Sequence, residues 1–125
     1  MLVLDAGALV ALERLDRDVI ALLKRERLAR QAPVTHGGVI GQVWRGGGGR
    51  QANLSRLLAG IDVVPLDEQL GRRVGMLLKQ TKTSDVVDAA VALLAKDGDE
   101  ILTSDARDLL PLVRASGAHV DVIEV

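Results

Sequence analysis

Short apolar segments alternate with longer amphipathic segments along the whole chain, and this alternation restricts the possible folds more than any other feature. Apolar runs predict five strands, at residues 2–4, 33–35, 61–66, 100–103 and 119–125. Helical spacing of apolar residues predicts helices at 8–12, 16–29, 38–45, 50–59, 67–80, 84–96 and 105–114. Strands that alternate with helices favour a mostly parallel sheet, covered on both faces and joined by right-handed crossovers.

The chain length and composition predict one domain with an aliphatic core. With 125 residues, of which 48% are hydrophobic, the chain is long enough for a single buried core over residues 1–125. It contains no Phe or Tyr and one Trp. Leu, Val, Ile and Ala must therefore fill the interior, as in helices packed on a Val- and Leu-rich sheet.

Charge and cysteine content exclude several functional classes. The chain has 16 basic and 17 acidic residues, so any contact with nucleic acid must be local rather than a bulk electrostatic effect. The absence of cysteine excludes a disulfide scaffold, a thiolate zinc site and a cysteine nucleophile. No signal peptide pattern opens the chain and no apolar run approaches the roughly 20 residues of a membrane span, so we expect a cytoplasmic protein without a membrane segment.

Carboxylates stand at positions where metal chemistry is typical of parallel sheets. Asp5 and Asp105 each follow an apolar strand directly, and ligands of such sheets bind beyond the carboxyl ends of the strands. We therefore expect these two side chains to face each other. Asp85 and Asp88 are three residues apart and share a helical face, with Asp88 in the second turn of a helix that begins near residue 84.

Helix capping is the alternative interpretation of the same residues. Asp is a common N-cap, and acids in a first helical turn interact favourably with the helix dipole. Capping or first-turn electrostatics is the stronger interpretation for Asp85 and Asp108. It is weaker for Asp5, Asp88 and Asp105, since two of these follow strands and the third is predicted beyond the first turn. Spacing alone leaves capping and cation binding open.

Four segments taken in order resemble a known family. They are the strand that ends at Asp5, the segment Gln42-Val43-Trp44-Arg45-Gly46-Gly47, the segment Ser84-Asp85-Val86-Val87-Asp88-Ala89, and Thr103-Ser104-Asp105. Together they resemble a PIN domain, specifically the ribonuclease toxins of bacterial VapBC toxin–antitoxin pairs. The resemblance implies an α/β, PIN-like three-layer fold with a mostly parallel sheet of four to five strands flanked by helices. It also implies Mg²⁺ or Mn²⁺ binding, cleavage of RNA, a homodimer and a cognate antitoxin.

The resemblance assigns site residues with one departure. The first, third and fourth acids of the family pattern match Asp5, Asp88 and Asp105, which are the expected catalytic metal ligands, and Thr103 matches an assisting hydroxyl. The second acid is usually Glu, but this chain has Gln42. Glutamine offers an oxygen ligand without charge, so the resemblance implies weaker metal binding unless Asp85 or Asp108 compensates.

The remaining candidate residues concern the substrate. Arg45, Arg50 and Arg56 form a local basic segment around the glycines 46–49 that is expected to contact RNA. Arg50 and Arg56 are equally explained as solvated helix residues. His36, expected in a loop, and His119, near the last strand, are interpreted as structural or solvated residues rather than ligands.

Three functional hypotheses follow from the sequence. The first is a metal-dependent ribonuclease toxin, in which a metal-bound water attacks the scissile phosphate. The second is a PIN-like module that binds RNA or an antitoxin and has lost catalysis at Gln42. The third, a phosphotransfer domain of the receiver type, lacks the Lys expected near the end of the last-but-one strand.

Overall fold

Five parallel strands form one sheet in the order β3-β2-β1-β4-β5. The computed structural model describes residues 1–47 and 49–125. The strands are β1 (Leu2–Leu4), β2 (Val34–His36), β3 (Asp62–Val64), β4 (Glu100–Thr103) and β5 (Asp121–Glu124). In the centre of the sheet, Val3 lies opposite Val34 on one side and Ile101 on the other. The predicted α/β class is confirmed, and all of the strand pairings are parallel.

Seven helices of the described residues cover the sheet. They are α1 (Ala6–Glu13), α2 (Arg17–Leu28), α3 (Gly37–Val43), α4 (Ala52–Leu58), α5 (Glu68–Thr81), α6 (Val86–Leu94) and α7 (Ala106–Ser116). Helix α1 packs against α2, α3 and α4, whereas α5, α6 and α7 pack against one another. The chain crosses the sheet in opposite directions before and after β3, so right-handed crossovers place these two groups on opposite faces. The result is a three-layer fold.

The core is aliphatic, as the composition predicts. All of β1 and most of β4 are buried, including Leu4 and Leu102, which are fully inaccessible to solvent. Helix α6 contacts β1 and β2, and it contains a run of buried, mostly small side chains from Ala89 to Ala92. Small residues at this position allow the helix to lie close to the sheet, and this closeness holds the first turn of α6 near the strand ends.

The strand order changes direction at β1, and this places a crevice between the carboxyl ends of β1 and β4. From β1 the chain continues to β2 on one side of it, and the later strand β4 lies on the other side of β1. The backbone N–H of Asp5 donates to the carbonyl of Leu102 at 3.2 Å, so pairing continues to the last residues of both strands. Parallel sheets bind ligands at such a position.

Several predicted boundaries are wrong for identifiable reasons. Strand β3 is three residues long rather than six because its partner β2 offers only three residues for pairing. Strand β5 covers only the four residues that pair with β4. His36, expected in a loop, is the last residue of β2 and is fully buried. Within the predicted glycine break, Gly48 lies outside the described residues, and Gly46, Gly47 and Gly49 have φ values from +69° to +77°.

No helix of the described residues has the length and apolar character needed to cross a membrane.

Candidate metal centre

Asp5 is a buried carboxylate at the junction of β1 and α1. It is the N-cap of α1, and its Oδ1 accepts the backbone N–H of Ala8 at 3.0 Å. Its Oδ2 accepts a hydrogen bond from the hydroxyl of Thr103. The residue is only 6% exposed. Burial raises the pKa of the Asp5 carboxyl above its usual value, although the bonds from Thr103 and Ala8 partly offset this effect.

Thr103 joins the ends of the two central strands. Its hydroxyl donates to Asp5 and accepts the backbone N–H of Asp105 at 2.9 Å. Thr103 is fully buried, so its single hydroxyl has both of these bonds in a water-free environment. This arrangement brings the residues that follow β1 and β4 together, as expected from their positions in the sequence.

Two Asp-x-x-Asp segments begin neighbouring helices in the same way. Asp85 is the N-cap of α6 and its Oδ1 accepts the N–H of Asp88 at 2.9 Å. Asp105 is the N-cap of α7 and its Oδ1 accepts the N–H of Asp108 at 3.4 Å. The capping interpretation of Asp85 is therefore confirmed, and Asp5 and Asp105 are caps as well. Asp88 lies in the first turn of α6, not the second, because the cap at Asp85 starts the helix two residues later than predicted.

Asp88 is the residue on which the charges of the cluster converge. Burial, and then the negative charges of Asp85, Asp5, Asp105 and Asp108, raise the pKa of Asp88 to about 6. A first-turn acid is normally stabilised in its charged form by the helix dipole, so burial and like-charge repulsion outweigh that benefit here. At the rim, the hydrogen bond and charge of Asp105 raise the pKa of the exposed Asp108. The five carboxylates thus share one region beyond the carboxyl ends of β1 and β4.

The donor set fits a hard divalent cation bound partly through water. Carboxylates and a threonine hydroxyl are oxygen donors, which favour Mg²⁺ or Mn²⁺. No hydrogen bond of the described residues ends on a carboxylate oxygen of Asp88. In the described part of the chain, no three His, Asp or Glu side chains lie close enough to hold one ion directly. Mg²⁺ commonly keeps several waters and uses one or two carboxylates, so this spacing is compatible with it.

Gln42 lies on α3 at the edge of the same region. It lines a cleft of about 560 Å³ together with Ala6, Gly7 and Ser104, which adjoin Asp5 and Asp105 in the chain. The side chain is exposed. An uncharged amide therefore stands in the cleft where the family resemblance implies a glutamate.

Neither histidine is placed as a metal ligand. The Nδ1 of His36 accepts the N–H of Gly38 at 3.1 Å, which leaves Nε2–H to donate to the carbonyl of Val87 at 3.0 Å. Burial lowers the pKa of His36, so the ring is neutral. His119 is exposed, and its backbone N–H donates to Asp97 at 2.8 Å. His36 instead ties the end of β2 to the residue that precedes Asp88.

The segment around Arg45 is held by a side chain that sequence reasoning missed. The Oε1 of Gln51 accepts the N–H groups of Arg45 and Gly46 at 2.8 and 3.0 Å, and its Nε2 donates to the carbonyl of Val43 at 2.9 Å. Arg45 donates Nη1 to the carbonyls of Gly41 and Trp44. The role of Gln51 depends on the geometry of the turn that brings these three backbone groups together, and the sequence alone does not give that geometry.

The other arginines of this region differ in their surroundings. Arg50 lines a second cleft together with Arg45. Arg56 donates to Asn53 three residues earlier on α4, which supports its interpretation as a helix-surface residue. Arg14, at the end of α1, lines both clefts and was not predicted. Its position depends on how α1 packs against α3, which the sequence does not specify.

No protein-family model matches the chain, and no curated protein does either. The functional conclusion therefore depends on the resemblance of the motifs and on the geometry of the acid cluster.

The raised pKa of Asp88 predicts the pH dependence of stability in the metal-free protein. The unfolded value is about 3.9 and the folded value about 6, so the fold binds this proton more tightly than the unfolded chain does. The stability that protonated Asp88 contributes to the fold is fully present below about pH 4. It is lost as pH rises through about 6. We expect Asp88→Asn to unfold at a higher temperature than the wild type at neutral pH.

The measurement is thermal unfolding of both proteins in chelator across this pH range. The advantage of Asp88→Asn should shrink as pH falls towards about 4. His36 contributes with the opposite sign, since its neutral form is favoured in the fold, but this contribution cancels in the difference between the two proteins. An advantage that does not change with pH would contradict the assignment of Asp88 as the residue with the raised pKa.

Proposed function

We propose that this protein is a Mg²⁺- or Mn²⁺-dependent endoribonuclease, the toxin component of a type II toxin–antitoxin pair. The observation that carries the proposal is the crowding of five carboxylates around Asp88, at the strand ends where parallel sheets place their ligand sites. Such crowding is unfavourable for the fold alone, because like charges repel and burial disfavours ionisation. A divalent cation removes both penalties, so ligation is a physical reason for the arrangement.

Each side chain has a role in the proposed reaction. Asp5, Asp88 and Asp105 would hold the cation partly through bound water, because they are too far apart to ligate it all directly, and Thr103 fixes the orientation of the Asp5 carboxylate. The cation, when bound, makes a coordinated water more acidic and offsets the negative charge that develops on the scissile phosphate. Asp85 and Asp108 add negative charge at the rim, which supports cation binding where Gln42 contributes none. Arg45 and Arg50 contact the RNA backbone beside the site.

The partners in this proposal follow from the family resemblance. We propose a cytoplasmic homodimer that is held inactive by a cognate antitoxin. The acidic cluster beyond the ends of β1 and β4 is complementary to a basic side chain of such a protein. In this proposal a small antitoxin lays an apolar helix or an extended segment along a groove of the protein.

The proposal is tested by calorimetry with Mg²⁺ and Mn²⁺, followed by cleavage of single-stranded RNA by the same preparations. We expect the wild type to bind either ion and to cleave RNA only when the ion is present. Gln42→Glu should tighten cation binding, by about 1 kcal/mol or more if its carboxylate reaches the ion, because it adds a charge at the edge of the cleft. Cleavage should rise with occupancy at limiting metal.

Asp62→Asn is the matched control for these measurements. Asp62 is exposed and begins β3, at the end of the sheet opposite the acid cluster. Its replacement should change neither cation binding nor cleavage. If the wild type and Gln42→Glu both fail to bind millimolar cation and to cleave RNA, the nuclease proposal is wrong. Retained binding of RNA or of an antitoxin in that case would support the alternative of a non-catalytic module.

A further inference from the structure

Two adjoining clefts lead away from the acid cluster. The first, of about 560 Å³, begins at Ala6, Gly7 and Ser104, beside the candidate metal ligands. The second, of about 450 Å³, is lined by residues of the turn that follows α3 and by the end of α1. Arg14 and Val43 line both clefts, so they form the boundary between them. The two clefts are therefore consecutive parts of one groove.

The groove changes in character along its length. Its first part has an apolar lining that includes Val10, Ala11 and Val43. Its second part has two guanidinium groups, those of Arg45 and Arg50, in addition to Arg14 at the boundary. A ligand that starts at the acid cluster thus passes a short apolar section and then a basic section.

The three arginines are available to an anionic ligand. None of the ion pairs formed by the described residues includes Arg14, Arg45 or Arg50, and all three are exposed. Arg45 uses only Nη1 for its bonds to backbone carbonyls. Of the two acidic side chains that line the groove, Asp16 lies in the first part and accepts two backbone N–H groups at the start of α2, whereas Glu13 lies in the far part beside the three arginines. Positive charge therefore dominates the far part of the groove.

Resting on the ribonuclease function proposed above, we propose that this groove is the track for single-stranded RNA and that Arg14 is a positioning residue within it. Guanidinium groups bind phosphates in a planar, two-pronged geometry. Ribose and base surfaces can lie on the apolar section between the acid cluster and Arg14. The arrangement gives an order along the strand: the scissile phosphate at the acid cluster, the next contacted phosphate at Arg14, and the more distant ones at Arg45 and Arg50.

The experiment measures binding of a short labelled single-stranded RNA by fluorescence anisotropy, in chelator so that the RNA stays intact, between about 50 and 200 mM salt. Loss of one phosphate contact lowers the slope of log K against log salt by about 0.7 and weakens binding about five-fold at about 0.1 M salt. Arg14→Ala should show both effects. Arg14→Lys should keep the slope, because it retains the charge, whereas a purely structural role would not be rescued in this way.

Arg73→Ala is the matched control, since Arg73 is an exposed arginine of α5 in the opposite helical layer. It should bind RNA as the wild type does. If Arg14→Ala binds RNA with unchanged affinity and salt slope, the proposed RNA track is wrong. It is also wrong if polyglutamate binds with the same dependence on Arg14, because that result would assign the groove to an acidic peptide segment. Cleavage by the wild type with Mg²⁺, measured on the same preparations, tests the ribonuclease function separately.

RNAs of decreasing length test the order of contacts. The effect of Arg50→Ala should disappear at a greater RNA length than the effect of Arg14→Ala, because Arg50 lines only the part of the groove beyond Arg14. Disappearance in the opposite order would contradict the proposed path.

Discussion

Replacement of Asp5 by asparagine should reduce RNA cleavage by at least about 100-fold without lowering the unfolding temperature of the metal-free protein. A cation ligand contributes several kcal/mol to stabilising the transition state, and each 1.36 kcal/mol is a factor of ten in rate. The fold does not need the charge, because burial raises the pKa of Asp5 and thereby disfavours the ionised form at neutral pH. Asparagine can still accept the N–H of Ala8 through Oδ1, so α1 keeps its cap. Its Nδ2 cannot accept the Thr103 hydroxyl as Oδ2 does, and this loss offsets part of the gain from removing the buried charge.

Asp67→Asn provides a control with the same chemistry at a distant site. Asp67 is the N-cap of α5 and accepts the N–H of Leu70 at 2.9 Å, the same three-residue spacing as Asp5 and Ala8. This variant should cleave RNA normally. In addition, Mg²⁺ should raise the unfolding temperature of the wild type and of Asp67→Asn but not that of Asp5→Asn. Full cleavage by Asp5→Asn would remove Asp5 from the proposed site.

Replacement of Gly7 by alanine should destabilise the protein and lower cleavage together. A Cβ at Gly7 would lie 2.1 Å from the Oγ of Ser104 and 2.8 Å from its backbone nitrogen. Alanine normally stabilises a helix by up to about 1 kcal/mol relative to glycine, but overpacking of this kind costs about 1–3 kcal/mol. The backbone contact cannot be relieved by a side-chain rotation, so α1 must move away from the segment that carries Asp105.

Gly71→Ala is the corresponding control on α5. A Cβ at Gly71 meets no atom within 4 Å, so this variant should be more stable than the wild type by up to about 1 kcal/mol. Chemical denaturation of both variants measures the stabilities, and the RNA cleavage assay measures the activities. A Gly7→Ala protein as stable and active as the wild type would show that the approach of α1 to Ser104 is not needed.

The sequence predicted the layers of the fold because local signals and global topology agree. Buried strands such as Leu2–Leu4 are uninterrupted apolar runs, and the helices between them have clear apolar faces. The ends of a strand were less predictable where pairing with the neighbouring strand determines them. Val63 lies within β3 only because β2 pairs with it, and the residues after Val64 have no partner in the sheet.

The proximity of Asp5 and Asp105 could be predicted from the sequence, but the hydrogen bonds around them could not. Position after a strand was enough to bring Asp5 and Asp105 together, since parallel topology places strand ends side by side. The roles of Arg14 and Gln51 were missed because both depend on contacts between segments distant in sequence. Thr103 was found through its motif, but its two hydrogen bonds became visible only in the folded protein.

Three of the clustered carboxylates, those of Asp5, Asp85 and Asp105, are also helix N-caps. This structural role limits which residues can replace them in evolution. Loss of the cap at Asp5, Asp85 or Asp105 to alanine would cost about 0.5–2 kcal/mol, but asparagine or serine preserves it. Under the proposed function, a descendant released from selection for cleavage should therefore keep small polar residues at those three positions. Asp88 and Asp108 cap no helix of the described residues, so under the proposed ribonuclease function we expect these two positions to diverge first in a lineage that no longer cleaves RNA.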